Sequence, residues 1–444
     1  MHLSEICRAR LGLLGYGREG RATERILRSA CRDVDLTVLV ESGGVPQHGP
    51  VRVGEFDDGL QDFDVLLRSP GVPILHPALQ RFLAAGGKIV NPASIWFAER
   101  PEVPVVGVTG SKGKSTTVSL LAHLLLAAGR RVLLAGNIGV PLIAHLETDA
   151  ELVVLELSSY QLTDLEGRLT LGVMTRLFPE HGDWHGGVEH YYASKLRMID
   201  LLQGQPLLIN GRDEVLRQQT EGAPNRILGN CPPLVHRRDT ALFCGDRLLT
   251  ELGSLRLMGR HNLDNAALSL QAADYLGIDL ETALTALAEF KPLSHRLELI
   301  EQRDTVRWIN DSIATTPHAT LAALQALAGQ PVVLIAGGYV RPTDWSPVLA
   351  HCGAHPLRGL VLLPDSGFAI GAAFRRAGVE PSAGLRYAEN MEQAVAAAAD
   401  VAGHGATVLL SPGAASFPHF RDFEDRGDQF RCAVSAFYND RSTA

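Results

Sequence analysis

Short apolar runs that end in glycine-bearing or polar turns recur along the chain, and most are followed by a stretch with helical spacing. Leu11–Leu14, Leu36–Val40, 65–67, 88–90, Val105–Thr109, 132–135, 152–155 and 171–174 read as strands of this kind, and so do 308–310, 332–336, 360–363 and 407–410. Runs this uniformly apolar belong to strands covered on both faces, and their alternation with helices predicts parallel sheets. The rhythm divides the chain into a first α/β domain over 1–97, a central one over 98–296 and a third, doubly wound one over 297–444. Residues 210–258 interrupt it with loops and short strands, before an alanine-rich helix that opens near His261 and extends to about residue 276. Residues 291–296 read as a linker.

Composition narrows the classes. The chain has 444 residues, 46% of them hydrophobic, and a formal charge of −8. No block rich in lysine and arginine offsets that charge, so nucleic acid and anionic membranes are poor partners. No segment approaches the ~20 apolar residues of a membrane span, and a cytoplasmic location is expected. Six scattered cysteines without metal spacing fit a reducing compartment and incidental thiols rather than a disulfide framework.

Two turns carry chemistry. After Val105–Thr109 come Gly110, Ser111, Lys112, Gly113, Lys114, Ser115 and Thr116, which read as a phosphate loop leading into a helix. Backbone N–H groups of such a turn converge on phosphate oxygens, Lys114 reaches the terminal phosphates, and the Ser115 hydroxyl can ligate Mg²⁺. The general pattern asks for glycine where Val108 stands. In the first domain Gly15, Gly17 and Gly20 form G-x-G-x-x-G between a strand and a helix expected over 21–29, a signal shared by nucleotide sites and by plain packing turns. Glu156, at a strand end, suits a Mg²⁺ ligand as well as a helix cap, and His181, Asp183 and His185 cluster in a loop.

Taken in order, Thr109 to Thr116, Gly136-Asn137-Ile-Gly, Glu156-Leu-Ser158-Ser-Tyr-Gln161, His261-Asn-Leu-Asp-Asn265, Ser294-His-Arg296, Asn310-Asp311-Ser and the segment 411–427 resemble the Mur ligases of peptidoglycan synthesis over nearly the whole chain. Within that family the wording is most similar to the group that adds glutamate to UDP-N-acetylmuramoyl-L-alanine. The resemblance implies a UDP-binding Rossmann-like first domain, a P-loop ATPase centre and a Rossmann-like third domain for the amino acid. It implies activation of the substrate carboxylate by ATP and attack of an amine on the acyl phosphate. By likeness, Lys114 steadies ATP, Ser115 and Glu156 hold one Mg²⁺, and His181 serves a second with Lys195 as a carbamoylated lysine. On its own Lys195 reads as an ordinary solvated helix lysine. Asn137, Ser158 and Gln161 match contacts to the muramoyl substrate, while Asn265, Arg296 and Asp311 match the ATP side. Gly15, Gly17 and Gly20 would lie near UDP, and Thr315, Arg341, Ser416 and Phe423 would line the amino-acid pocket. A monomer is implied as well.

The departures gather in that pocket. Where the family carries Lys in Asn-Asp-Ser-Lys, this chain has Ile313; its loop lysine is Arg341, followed by Pro342, and its Asp-Gln is Pro418-His419. The words before His181, Phe178-Pro-Glu180, differ too. Arginine holds a carboxylate with a planar fork where lysine offers a point charge. Moving the cations that grip glutamate changes which enantiomer presents its amine, so addition of L-glutamate is expected, with D-glutamate the alternative and a separate epimerase the consequence. Three other readings are a folylpolyglutamate-synthase-like ligase, opposed by the first domain, a non-catalytic nucleotide-binding protein, opposed by the intact Lys114, Glu156, His181 and Lys195, and an NAD-dependent oxidoreductase, which would leave the P-loop unexplained.

Overall fold

The computed structural model describes residues 1–41, 44–180, 182–303, 305–340 and 343–442. The N-terminal sheet has five parallel strands in the order β3-β2-β1-β4-β5: β1 (Leu11–Leu14), β2 (Leu36–Val40), β3 (Val51–Val53), β4 (Val65–Arg68) and β5 (Lys88–Val90). All of β1 and β4 is buried, as strands with helices on both sides must be. The helix after β1 runs Arg18–Ala30, starting three residues before the apolar spacing announces it, because extended Gly17 already caps it.

A six-stranded parallel sheet follows, with β6 (Val105–Thr109), β7 (Val132–Gly136), β8 (Leu152–Glu156), β9 (Leu171–Met174), β10 (Leu207–Asn210) and β11 (Arg226–Gly229) in the order β11-β10-β9-β6-β8-β7. β6 therefore lies between β8 and β9, and its C-terminal end faces both neighbours' ends, where ligands of parallel sheets gather. Part of the loop-rich stretch is ordered as a small antiparallel sheet of β12 (Val235–Arg238), β13 (Ala241–Cys244) and β14 (Arg247–Glu251). The alanine-rich helix spans Arg260–Tyr275.

The last sheet holds β15 (Glu298–Arg303), β16 (Val306–Asn310), β17 (Val332–Gly338), β18 (Gly359–Asp365), β19 (Leu385–Tyr387) and β20 (Thr407–Leu410) in the order β15-β16-β20-β17-β18-β19. Only β15 is antiparallel. By contacts the chain forms two compact units, Met1–Leu255 with His261–Phe290, and Arg256–Arg260 with everything from Lys291 onward. One expectation is corrected here: Cys7 and Cys31 are joined in a disulfide, since the short N-terminal helix Leu3–Ile6 delivers Cys7 to the C-terminal end of the helix Arg18–Ala30. Among the described residues no helix is long and apolar enough to cross a membrane.

Candidate active site

Gly113 caps the helix Lys114–Ala127 with φ at +94°, a conformation glycine enters without strain, and a Cβ there would press to 2.5 Å from Asn265 Oδ1. The loop's shape is fixed from outside. Thr109 Oγ1 donates to Leu157 O (2.7 Å), Ser111 N to Arg176 O (2.7 Å), and Thr175 Oγ1 to Lys112 O (2.7 Å). Ser111 Oγ donates to Phe178 O (2.9 Å) and accepts from the Tyr191 hydroxyl (2.8 Å). An anion lying on this loop would meet the N-terminal end of the helix Lys114–Ala127. Lys114 curls over the loop, its Nζ donating to Gly110 O (2.9 Å) and Ser111 O (3.1 Å), while Ser115 sits half-buried in the first turn and Thr116 is buried. Lys112 pairs with Glu180 at 2.9 Å.

Glu156 ends β8 in register with Val108 of β6 and Gly136 of β7, which puts its carboxylate beside the phosphate loop. It is 1% exposed; Oε1 accepts from Asn137 Nδ2 (3.0 Å), and Oε2 has no hydrogen-bond partner among the described residues. An orphaned carboxylate oxygen is costly in a dry interior and needs a cation or donor. Lys195, on the helix Val188–Leu196, is 2% exposed, and its Nζ donates to Gly110 O (2.9 Å) above the Tyr191 ring at 4.9 Å. Burial holds this amine well below the ordinary lysine range; Lys114 and Lys112 push the same way, and Glu180 and Glu156 oppose them. The sequence reading of Lys195 as solvated is thus corrected: the helix turns it inward onto the loop. Glu156 and the Ser115 hydroxyl fit a hard divalent cation, and Lys195 would join them only with its charge reversed. Among the described residues no three His, Cys, Asp or Glu side chains gather as metal ligands. His181 and Asp183 fall where side chains are not described. His185 is buried, bonded to Ser159 Oγ at 3.0 Å and stacked on Tyr160.

The first glycine turn meets the centre across a polar seam. A Cβ on Gly20 would collide with Gly15 O, so the helix Arg18–Ala30 packs directly on the turn, and Ser69 Oγ holds Gly15 O at 3.0 Å. Gly17 caps that helix at the exposed side. Opposite, Ser158 and Gln161 form a capping box: Ser158 Oγ accepts from Gln161 N (3.2 Å) and Gln161 Oε1 from Ser158 N (3.0 Å). Gln161 Nε2 donates to Glu19 at 3.4 Å. Beneath them fully buried Arg68 grips Asp164 with two bonds of 2.6 Å, and Asn91 Nδ2 donates to Asp164 at 2.9 Å. Arg68, Asp164 and Glu19 escaped the sequence reading; the available signal was an arginine closing an otherwise apolar strand.

In the second unit Asp311 Oδ2 accepts from Ser411 Oγ (2.8 Å) and Oδ1 from Leu297 N (3.2 Å), and Arg296 lies half-buried nearby in sequence. Thr315 lines a small pocket with Tyr339, Trp345, Ser366 and Ala414. Ser416 is buried, and the Phe423 ring meets His295 edge-on at 6.2 Å. Arg341 and Pro342 lie outside the described residues. Sequence reasoning also missed Arg426, which is fully buried and ties Ser312 to Ala414.

A glycine turn with its lysine, followed across a parallel strand by a buried carboxylate, defines a P-loop nucleotide-binding enzyme of the α/β class. Residues 108–231 match the Mur ligase middle domain and residues 295–413 the Mur ligase glutamate ligase domain. Along 454 aligned residues the chain is 37% identical to the UDP-N-acetylmuramoyl-L-alanine–L-glutamate ligase of a Micromonospora species, covering 98% of each. It is 36% identical over 453 residues to the protein of that name from Xylella fastidiosa, covering 97% of this chain and 96% of that one. The fold matches a UDP-N-acetylmuramate–alanine ligase from Thermotoga maritima with TM-score 0.60 at 16% identity, over 97% of this chain and 100% of that one. A MurF ligase of the same organism, solved with ADP, gives 0.59 at 16% identity over 96% and 95%. The chain belongs to the Mur ligase family.

Proposed function

We propose that the chain is an ATP-dependent ligase that joins L-glutamate to UDP-N-acetylmuramoyl-L-alanine in the synthesis of peptidoglycan precursors. The observation that carries this reading is the near-full-length likeness, at 34–37% identity, to relatives bearing the name of that L-glutamate ligase. The altered pocket words Ile313, Arg341 and Pro418-His419 support the L enantiomer, because they move the groups that would grip the amino acid's carboxylates.

On this reading the first domain, 1–97, takes the UDP-sugar on Gly15, Gly17 and Gly20, and Asn137, Ser158 and Gln161 steady its muramoyl end. The central domain, 98–296, takes ATP with Lys114, and the third, 297–444, takes glutamate with Thr315, Arg341, Ser416 and Phe423. Asn265, Arg296 and Asp311 contribute to the nucleotide side. Ser115, Glu156, His181 and a carbamoylated Lys195 would hold Mg²⁺, which when bound draws charge from phosphoryl oxygens. A substrate carboxylate oxygen attacks the γ-phosphorus and ADP leaves; the glutamate nitrogen then attacks the acyl carbon, inorganic phosphate leaves, and the amine gives up a proton. Lys114 and the loop N–H groups meet negative charge that accumulates during both steps, so no nucleophilic side chain is needed.

The test is phosphate release with ATP, Mg²⁺ and UDP-N-acetylmuramoyl-L-alanine, run in parallel with each enantiomer of glutamate. Turnover with L-glutamate alone is expected, and a separate epimerase would then have to invert the product. Turnover with D-glutamate alone would overturn the stereochemical assignment and leave the ligase reading standing. Silence with both would overturn the substrate assignment.

A further inference from the structure

The glycine turn after β1 carries a carboxylate that none of the roles above uses. Glu19 is the second residue of the 13-residue helix Arg18–Ala30, the helix whose N-terminus would face a diphosphate lying on Gly15, Gly17 and Gly20. A carboxylate in a helix's first turn is ordinarily stabilised by the helix dipole. Here the half-buried side chain bends back so that its Oε2 accepts from Gln161 Nε2 at 3.4 Å. Gln161 cannot turn elsewhere, since its Oε1 is committed to Ser158 N and Ser158 Oγ, and its backbone carbonyl accepts from Asn91.

The surrounding charges leave Glu19 poorly compensated. Arg68 from β4 is the cation that acts on it, and that guanidinium is already spent on Asp164 and on the carbonyls of Val72 and Tyr160. Asp164, behind Gln161, repels a negative Glu19, and Arg18 on the same helix is exposed. Burial is the largest influence and pushes the Glu19 carboxyl up to about 7; Gln161 and Arg68 work against it. A diphosphate on the turn would bring further negative charge to the same helix end, and two anions would compete for one set of N–H groups. The neutral carboxyl resolves this conflict. It keeps the carbonyl oxygen that Gln161 needs and offers an O–H to a phosphoryl or sugar oxygen.

We propose that Glu19 is a positioning residue of the nucleotide-sugar site whose carboxyl is protonated in the complex, so that binding of the UDP-sugar takes up one proton from solvent. The inference rests on the substrate reading given above. Its sign follows from linkage: the form that binds is the protonated one, so affinity is highest below the carboxyl's free value near 7 and falls as pH rises above it.

The experiment is calorimetric titration of the whole protein with UDP-N-acetylmuramoyl-L-alanine, without ATP, between about pH 6 and about pH 9, in buffers of different ionisation enthalpy. Neither the diphosphate diester nor the alanyl carboxylate of this ligand titrates in that window. Kd is expected to stay flat at the acid end and to rise about tenfold per pH unit above neutrality, with close to one proton taken up per ligand bound at about pH 8. Glu19→Gln is expected to bind with a flat pH profile and no proton uptake. A wild-type protein that takes up no proton would overturn the proposal without recourse to any variant, and so would an unchanged slope in Glu19→Gln. Absence of binding at every pH would overturn the substrate reading and this inference with it, whereas tight binding independent of pH overturns only the inference.

Discussion

Lys195→Met is expected to lower turnover by about a thousandfold or more while leaving the midpoint of thermal unfolding unchanged or raised. The two halves of this expectation have one cause. Lys195 is 2% exposed, its Nζ bonds to the Gly110 carbonyl, and no carboxylate among the described residues pairs with it at hydrogen-bond distance. Its folded value lies well below the ordinary lysine range, so the unfolded chain binds a proton that the folded amine gives up. Between the folded and unfolded values the unmodified amine therefore costs stability, and the cost fades as pH rises towards the unfolded value. Methionine matches its length without that penalty and forfeits one hydrogen bond, worth about 1 kcal/mol. Function moves the other way. A neutral buried amine is the form that can attack CO₂, forming an N–C bond and releasing one proton, and the resulting carbamate would supply the negative charge that the unpartnered Glu156 Oε2 and the Ser115 hydroxyl lack for a divalent cation. Protein equilibrated with ¹³C-bicarbonate is expected to show a carbamate carbon that Lys195→Met does not. Turnover within about tenfold of wild type would remove Lys195 from the metal side.

The parts of this structure legible in the sequence are those where one local demand decides the residue. Val105–Thr109 and Val332–Gly338 are wholly buried because parallel strands are covered on both faces, and that burial leaves an uninterrupted apolar run. Gly113 was legible because a left-handed cap before a helix leaves few alternatives to glycine. Residues whose partners lie far along the chain were not. Arg68 and Asp164 are 96 positions apart, and Glu19 and Gln161 are 142 apart, so neither pair leaves a spacing to detect. The disulfide between Cys7 and Cys31 depends on where a four-residue helix ends, which composition does not report. For Lys195 the sequence offered two roles. Spacing alone favoured solvent, the family likeness favoured the site, and the inward face of the helix Val188–Leu196 is what separates them.

Arg426→Ala is expected to cost the second unit about 3–5 kcal/mol, a drop of roughly 6–20 °C in the unfolding midpoint of that unit. Arg426 is fully buried on the helix Phe423–Ser442, and burial pulls its guanidinium down to about 10 despite the favourable charge of Asp311. It remains there because each of its three nitrogens is hydrogen-bonded: Nε to Ser312 Oγ (3.0 Å), one terminal nitrogen to Ser312 O (2.7 Å), and the other to Ala414 O (2.9 Å). Alanine leaves these acceptors without donors and opens a cavity beside Gly338, where an added Cβ would lie 3.3 Å from the guanidinium. Arg426→Met fills most of that space and removes the buried charge, so it should cost less than alanine while still freeing the same acceptors. Lysine retains the charge but has one nitrogen for positions set by a planar fork, and it should fall between the two. Ser312 adjoins Asp311 and Ile313, and Ala414 lines the pocket with Thr315, so loosening this tie should reach the proposed amino-acid site as well. In the methionine variant KM for glutamate is expected to rise by at least about fivefold, with KM for the UDP-sugar unchanged. If Arg426→Ala shifts the midpoint by less than about 2 °C, the guanidinium is not the tie between these loops.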